Sequence, residues 1–202
     1  MIGIFGGSFD PIHYGHLRTA LEVQQKLGLK HIRLIPLRDP PHRDPLDANA
    51  EIRLEMVRAA IADEPRFQVD ERELKRSGKS YTLDTLISLH DELKEESFCL
   101  LIGTDAFRGF PSWHQPREVL MQASLVVMQR PGEPRPAIYP ERTVATSEAL
   151  HASAAGKILF LPVTQLDISA TRIRSMLRAG RSPRYLLPDS VLSIIQQRGL
   201  YR

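Results

Sequence analysis

Cysteine is nearly absent from this 202-residue chain, tryptophan occurs once, and no apolar run is long. The single cysteine, Cys99, excludes an intrachain disulfide and leaves a Cys-rich zinc site without ligands. Its neighbours in "SFCLLIG" mark it as a core residue of a strand. No stretch approaches the roughly 20 apolar residues of a membrane span, so a membrane is not an expected partner. The opening residues lack a basic region followed by an apolar run and a cleavage site, and the cytoplasm is the expected location. An excess of one charge is missing as well: 27 basic against 24 acidic residues give a net charge of +3. The isoelectric point is about 9.2, yet the basic residues are spread among acids instead of forming the stripe of a nucleic-acid binder. Nucleic acid is therefore not an expected partner, and small phosphorylated substrates suit the mild positive balance. With 42% hydrophobic and 25% charged residues, a globular chain with one core is expected.

What is present is an alternation of short apolar runs with longer periodic segments. Residues 2–5, 31–36, 67–71, 98–103, 125–129 and 158–162 read as strands covered on both faces. Helices are expected over 14–27, 50–62, 83–95, 113–122, 147–155, 170–179 and 188–198. Gly28, Gly156, Gly180 and Gly199 stand as stops after four of them. Strand followed by helix, repeated, implies a parallel sheet with right-handed crossovers, a doubly wound α/β fold. Two proline-rich stretches, 36–49 and 130–142, interrupt the rhythm as long loops. The first follows a strand's C-terminal end, where such sheets bind ligands.

"GGS" at 6–8 lies between a strand and a helix, where α/β folds place phosphates, but it matches neither the GxGxxG fingerprint nor a P-loop. Gly6 and Gly7 allow backbone N–H groups to approach an anion, and Ser8 adds a hydroxyl. His13 and His16, three apart, share a face near the positive end of the following helix, with Gly15 leaving room between them. Three readings suit the pair: donors to phosphate oxygens that carry growing charge on a leaving group, zinc ligands, or plain helix histidines. No HExxH pattern, cysteine partner or nearby third ligand supports the metal. At the other end, "ISATRIR" (168–174) offers Ser169 and Thr171 hydroxyls at a helix start with Arg172 and Arg174 behind them. That is a second anion cradle, or an ordinary N-cap before a solvated basic helix.

Taken together, "GGSFDPIHYGH" and "ISATRIR" resemble the HxGH and ISxTxIR signatures of the nucleotidyltransferase superfamily. Its members transfer AMP or CMP from a nucleoside triphosphate. In the middle, "RSGKSYTLDTL" (76–86) and "GTDAFRGFPSWHQPREVL" (103–120) are similar to segments of bacterial nicotinate-mononucleotide adenylyltransferases. "PPHR" (40–43) and the closing "GLYR" fit too, so the resemblance spans essentially the whole chain. Ala170 departs from it, standing where many relatives carry a second serine.

The resemblance implies one nucleotidyltransferase domain over 1–202. A Rossmann-like core (1–165) carries a small C-terminal helical part (166–202) that holds ISATRIR. The implied reaction joins ATP to nicotinate mononucleotide, giving deamido-NAD and pyrophosphate. Its implied catalytic residues are His13, His16 and Arg172. ATP would be held by Gly6, Gly7, Ser8, Phe9, His13, His16, Gly103, Asp105, Ile168, Ser169, Thr171, Arg172 and Arg174. Nicotinate mononucleotide would meet Ser80, Tyr81, Thr82, Trp113, His42 and Arg43. Magnesium would arrive with ATP, without a protein metal site, and the chain is expected to be a monomer or small homo-oligomer. The residues support the acid substrate independently: Thr82 is a plausible N-cap with Asp84 in the first turn, so backbone N–H groups at 81–83 would suit a carboxylate. Alternatives are another HxGH enzyme of the pantetheine-phosphate type, although the SYTxDTL segment argues against it, and a nucleotide-binding regulator without turnover.

Overall fold

The computed structural model describes residues 1–38, 46–76, 78–129 and 134–202. All strands run parallel. In chain order they are β1 (Ile2–Gly7), β2 (Ile32–Pro36), β3 (Phe67–Val69), β4 (Phe98–Gly103), β5 (Ser124–Gln129), β6 (Thr143–Val144) and β7 (Ile158–Pro162). Across the sheet the order is β3-β2-β1-β4-β5-β7-β6. Direction of growth reverses between β1 and β4, which is the doubly wound arrangement expected from the alternating pattern. The helices are α1 (Tyr14–Leu27), α2 (Ala50–Ile61), α3 (Arg72–Lys75), α4 (Thr82–Glu92), α5 (Thr104–Gly109), α6 (Pro116–Gln122), α7 (Ser147–His151), α8 (Ala170–Arg178) and α9 (Asp189–Arg198). None of the described helices is long and apolar enough to cross a membrane.

The continuous apolar runs have the physical cause expected of them. On β4, Cys99 and Leu101 enter one hydrophobic cluster while Phe98, Leu100 and Ile102 enter the other. On β5, Val126 and Met128 alternate with Leu125 and Val127 in the same way. Side chains of successive residues point to opposite faces, so a strand covered on both sides has no solvent-facing position, and even Ser124 and Gln129 at the ends of β5 are buried. Cys99 is a fully buried core residue whose thiol is pushed up to about 12 by burial. One layer holds α1, α2, α8 and α9, since Val23, Val57, Ile173 and Ile195 share a cluster with Phe5. The other holds α4, α5 and α6 through Leu86, Phe107 and Leu120.

Several boundaries shift for local reasons. The helix expected at 113–122 begins only at Pro116, because proline suits the first helical position and disfavours helical backbone just before it; Gln115 is left-handed instead. The preceding residues 104–112 form α5 and a short 3-10 turn, which the sequence pattern did not indicate. The helix expected at 147–155 stops at His151, and the Gly156 N–H bonds the Ala123 carbonyl, returning the chain to the sheet. Gly28 does end α1: it adopts φ 58°, and its N–H bonds the Gln24 carbonyl, closing the last turn.

The two chain ends meet on one face. Asp10, 1% exposed, accepts the N–H groups of Asp47 and Ala48 at 3.0 and 3.2 Å. The Tyr201 hydroxyl donates to the same carboxylate at 2.6 Å, and Arg174 donates to the Asp10 carbonyl at 2.8 Å. Replacing Tyr201 with Phe keeps the ring packing and removes only that donor. A loss of about 1–3 kcal/mol in unfolding free energy is expected, read from a urea midpoint at neutral pH. An unchanged midpoint would show that the contact contributes nothing.

Candidate active site

Where the sheet order reverses, the C-terminal ends of β1 and β4 part and open a cleft of about 530 Å³. Gly6, Gly7 and Ser8 form one side of its floor, and Ile102 and Gly103 the other. Ser80, Tyr81 and Thr82 rise as one wall, Trp113 and His114 as a second, and Phe9 and His16 line the remainder.

His13 is the N-cap residue of α1 and His16 its third helical residue, so both sit at the helix's positive end. Their rings stack with centroids 3.7 Å apart, and Phe9 meets His16 edge to face at 5.3 Å. The His13 N–H donates to His16 Nδ1 at 3.3 Å, so in the neutral ring the remaining proton sits on Nε2. Burial lowers His13 to about 4 and takes His16 well below the ordinary imidazole value, with His13 adding repulsion. Both rings are therefore neutral at pH 7, each with one N–H to give. A methyl group at Gly15 would lie 2.9 Å from the His13 ring and 3.3 Å from the Ile168 carbonyl, so this glycine is what lets the ISATRIR segment approach α1.

At that segment, Ser169 caps α8 by accepting the Arg172 N–H at 3.2 Å. The two arginines separate in role. Arg172 is 62% exposed, with Asp167 at 3.8 Å as its ion-pair partner, and Thr171 beside it is exposed. Arg174 is committed to Asp47 at 2.7 Å and to the Asp10 carbonyl, and so works as a strut in this state.

On the opposite wall the helix start differs from expectation. Tyr81, not Thr82, is the N-cap of α4, and no side chain caps it. The first-turn N–H groups from Thr82 onward find no partner among the described residues, and Thr85 N–H is the first to bond, to the Tyr81 carbonyl at 3.3 Å. The Tyr81 ring lies on that of His114, centroids 4.3 Å apart, and Trp113 packs its edge on Phe110 at 5.3 Å. Trp113 is thus half-buried with part of its ring on the cleft.

The cleft gathers Gly6, Gly7, Ser8, Phe9, His16, Ser80, Tyr81, Thr82, Gly103 and Trp113 from four separate segments. Of the expected residues, His13, Ile168, Ser169, Thr171, Arg172 and Arg174 do not line it, and neither does Asp105, which is 92% exposed on α5 and paired with Arg108 at 2.6 Å. His42, Arg43 and Arg130 lie outside the described residues. Sequence reasoning missed His114, whose one signal is its place beside Trp113. It also missed Arg53, which is 1% exposed and donates to the carbonyls of Ser8, Ala48 and Arg38 at 2.7, 3.1 and 3.3 Å. Among the described residues no group of three or more His, Cys, Asp or Glu is arranged to hold a metal ion.

Residues 4–176 match the family model described as cytidylyltransferase-like. A protein of Methylococcus capsulatus named "Probable nicotinate-nucleotide adenylyltransferase" is 48% identical, the match covering 100% of this chain and 99% of that one. A protein of the same name from Halorhodospira halophila is 50% identical over 99% of this chain and 94% of its own. Among solved structures, Plasmodium falciparum nicotinic acid mononucleotide adenylyltransferase complexed with NaAD aligns with a TM-score of 0.76. It covers 99% of this chain and 96% of that chain; at 18% identity it speaks to the fold.

Lowered histidine values make stability depend on pH with a definite sign. In the window between about 4 and 6.5 the unfolded chain binds the proton that folded His13 refuses, so stability is whole above pH 6.5 and falls as pH drops. At pH 5, His13 alone accounts for about 2 kcal/mol. Because burial lowers His31 and His16 as well, the comparison is between wild type and His13→Asn. The variant's unfolding free energy should fall less between pH 7 and pH 5 by about that amount; parallel curves would contradict a buried neutral His13.

Proposed function

The chain belongs to the cytidylyltransferase-like family and, within it, to the nicotinate-nucleotide adenylyltransferases, and from that premise we propose how its cleft works. It is a nucleotidyltransferase that transfers AMP from ATP to nicotinate mononucleotide, giving deamido-NAD and pyrophosphate, a step of NAD biosynthesis. Residues 1–202 act as one such domain. The single observation that supports the division of labour is the meeting of Gly15 and Ile168, which brings the segment carrying Arg172 beside the stacked histidines, next to the cleft that His16 lines.

On that side the triphosphate lies along Gly6–Ser8 with His16, His13, Ser169, Thr171 and Arg172 around it. A mononucleotide phosphate is already an anion at neutral pH and requires no general base. Its oxygen forms a bond to the α-phosphorus as the bond from that phosphorus to the departing pyrophosphate oxygen breaks. Neutral imidazoles donate to the phosphate oxygens, and the triphosphate brings the counter-charge that burial withholds from them. Stabilisation therefore grows as charge collects on the leaving group. Magnesium enters as part of the ATP substrate, where it neutralises triphosphate oxygens; the chain's part is to align and to donate.

The pyridine end of the acceptor lies at the other wall. Uncapped N–H groups at the start of α4 suit a carboxylate, which only accepts, and its charge is favoured at a helix N-terminus. An amide in the same place would set its NH2 against donors, leaving some unpaired. Trp113 offers a ring face or edge to the pyridine.

A pyrophosphate-release assay tests this reading. With ATP, nicotinate mononucleotide should exceed nicotinamide mononucleotide in kcat/KM by about tenfold or more, and CTP should not replace ATP. His16→Ala should lower kcat about 100- to 1,000-fold with the fold intact. ATP binding without pyrophosphate release would leave only a nucleotide-binding regulator.

A further inference from the structure

We propose that Glu73 is a specificity-determining positioning residue: its buried carboxyl holds Thr85 in the first turn of α4 and so aims the free N–H groups at the start of that helix. The inference rests on the reading above that the nicotinate carboxylate docks at this helix start.

Glu73 lies on the four-residue helix α3 and is 4% exposed, although it does not line the cleft. Its Oε1 accepts the Thr85 hydroxyl at 2.7 Å, while its Oε2 is buried without a hydrogen-bond partner among the described residues. On the other side of Tyr81, Ser80 Oγ accepts the Arg38 N–H at 3.3 Å. Thr85 stands 3.3 Å from the Tyr81 carbonyl through both its hydroxyl and its N–H, and the shorter contact to Glu73 takes the hydroxyl proton.

The spacing explains the arrangement. Ser80 is the residue before the N-cap and Thr85 the fourth of the helix. Apolar side chains at these two positions often touch and fix the angle at which a chain enters a helix. Here both are hydroxyls, and a carboxyl from another element takes the proton of one of them, Thr85. An apolar staple would set the entry angle through contact alone, whereas a directed hydrogen bond also sets the rotation of the first turn. That rotation matters because α4 has no side-chain cap, and its first N–H groups, without partners among the described residues, are left for a ligand. Burial raises the carboxyl, with Asp70 adding to the effect and Arg76 opposing it.

The experiment compares nicotinate and nicotinamide mononucleotides on the full-length enzyme at saturating ATP, following pyrophosphate. Glu73→Ala should cut the acid-to-amide ratio of kcat/KM about tenfold. The loss should appear in KM for nicotinate mononucleotide, with KM for ATP within about twofold of wild type. Thr85→Val, which removes the same hydrogen bond at nearly constant shape, should lower the ratio in the same direction. Glu73→Gln keeps an acceptor for Thr85 and should retain most of it. Circular dichroism and melting establish folding, and Thr85→Val decides if Glu73→Ala does not fold. A folded Glu73→Ala or Thr85→Val with the wild-type ratio overturns the proposal, as does an equal rise in both KM values. A wild type without preference for the acid fails earlier and removes the docking reading together with this inference.

Discussion

A carboxylate stripped of water must be met by donors or it destabilises the fold by several kcal/mol, and Asp10 is such a group at the mouth of β1. Its donors come from Asp47 and Ala48 before α2 and from Tyr201, next to last in the chain. Satisfying one buried charge therefore draws three distant segments onto the turn that carries the histidines. Arg174 completes the junction by spanning the Asp10 carbonyl and Asp47, and Arg178 pairs with Asp47 as well. With α8 fixed by its inner arginine, the outer one, Arg172, is left facing solvent beside Asp167. One helix thus supplies both a strut and an exposed guanidinium.

The histidines obey a related constraint from the opposite sign. Packing two imidazoles face to face against Phe9 excludes water and disfavours their charge, so the empty cleft keeps neutral donors. A permanently charged pair would bind triphosphate and pyrophosphate strongly alike. Donors that gain from charge only as it develops contribute more to the transition state than to the product, which is the useful direction for turnover.

Local features were legible in the sequence because their causes are local. Strand runs followed from burial on both faces, Gly28 from the left-handed stop it supplies, and the His13–His16 spacing from helix geometry. The start of α4 was read one residue late, at Thr82, because a hydroxyl there has the character of a cap. In the fold Thr82 is the first helical residue and the cap position is left without a capping side chain. Asp105 reads as a ligand from its place after β4, yet α5 begins at once and carries the side chain into solvent against Arg108. Glu73 and Arg53 were invisible for a different reason. A charged residue on a helix defaults to solvent, and only the folded chain brings up the partners that make its burial affordable: the Thr85 hydroxyl for Glu73, and the carbonyls of Ser8, Ala48 and Arg38 for Arg53.

Arg53 shows what those buried charges accomplish together. Its guanidinium reaches Ser8 on the phosphate side and Arg38 beyond β2, and the Arg38 N–H in turn bonds Ser80 on the pyridine side. A planar fork of donors suits this task, since one lysine cannot meet three carbonyls that diverge. The two walls of the cleft are carried by helices on opposite faces of the sheet, so their separation is not fixed by the ladder alone. In-line transfer requires the acceptor phosphate and the α-phosphorus to be held at one distance. The run from Ser8 through Arg53 and Arg38 to Ser80 is a continuous set of buried or half-buried hydrogen bonds that can hold it. The sheet brings the two walls to one crevice, and this polar chain beneath them spans from one to the other.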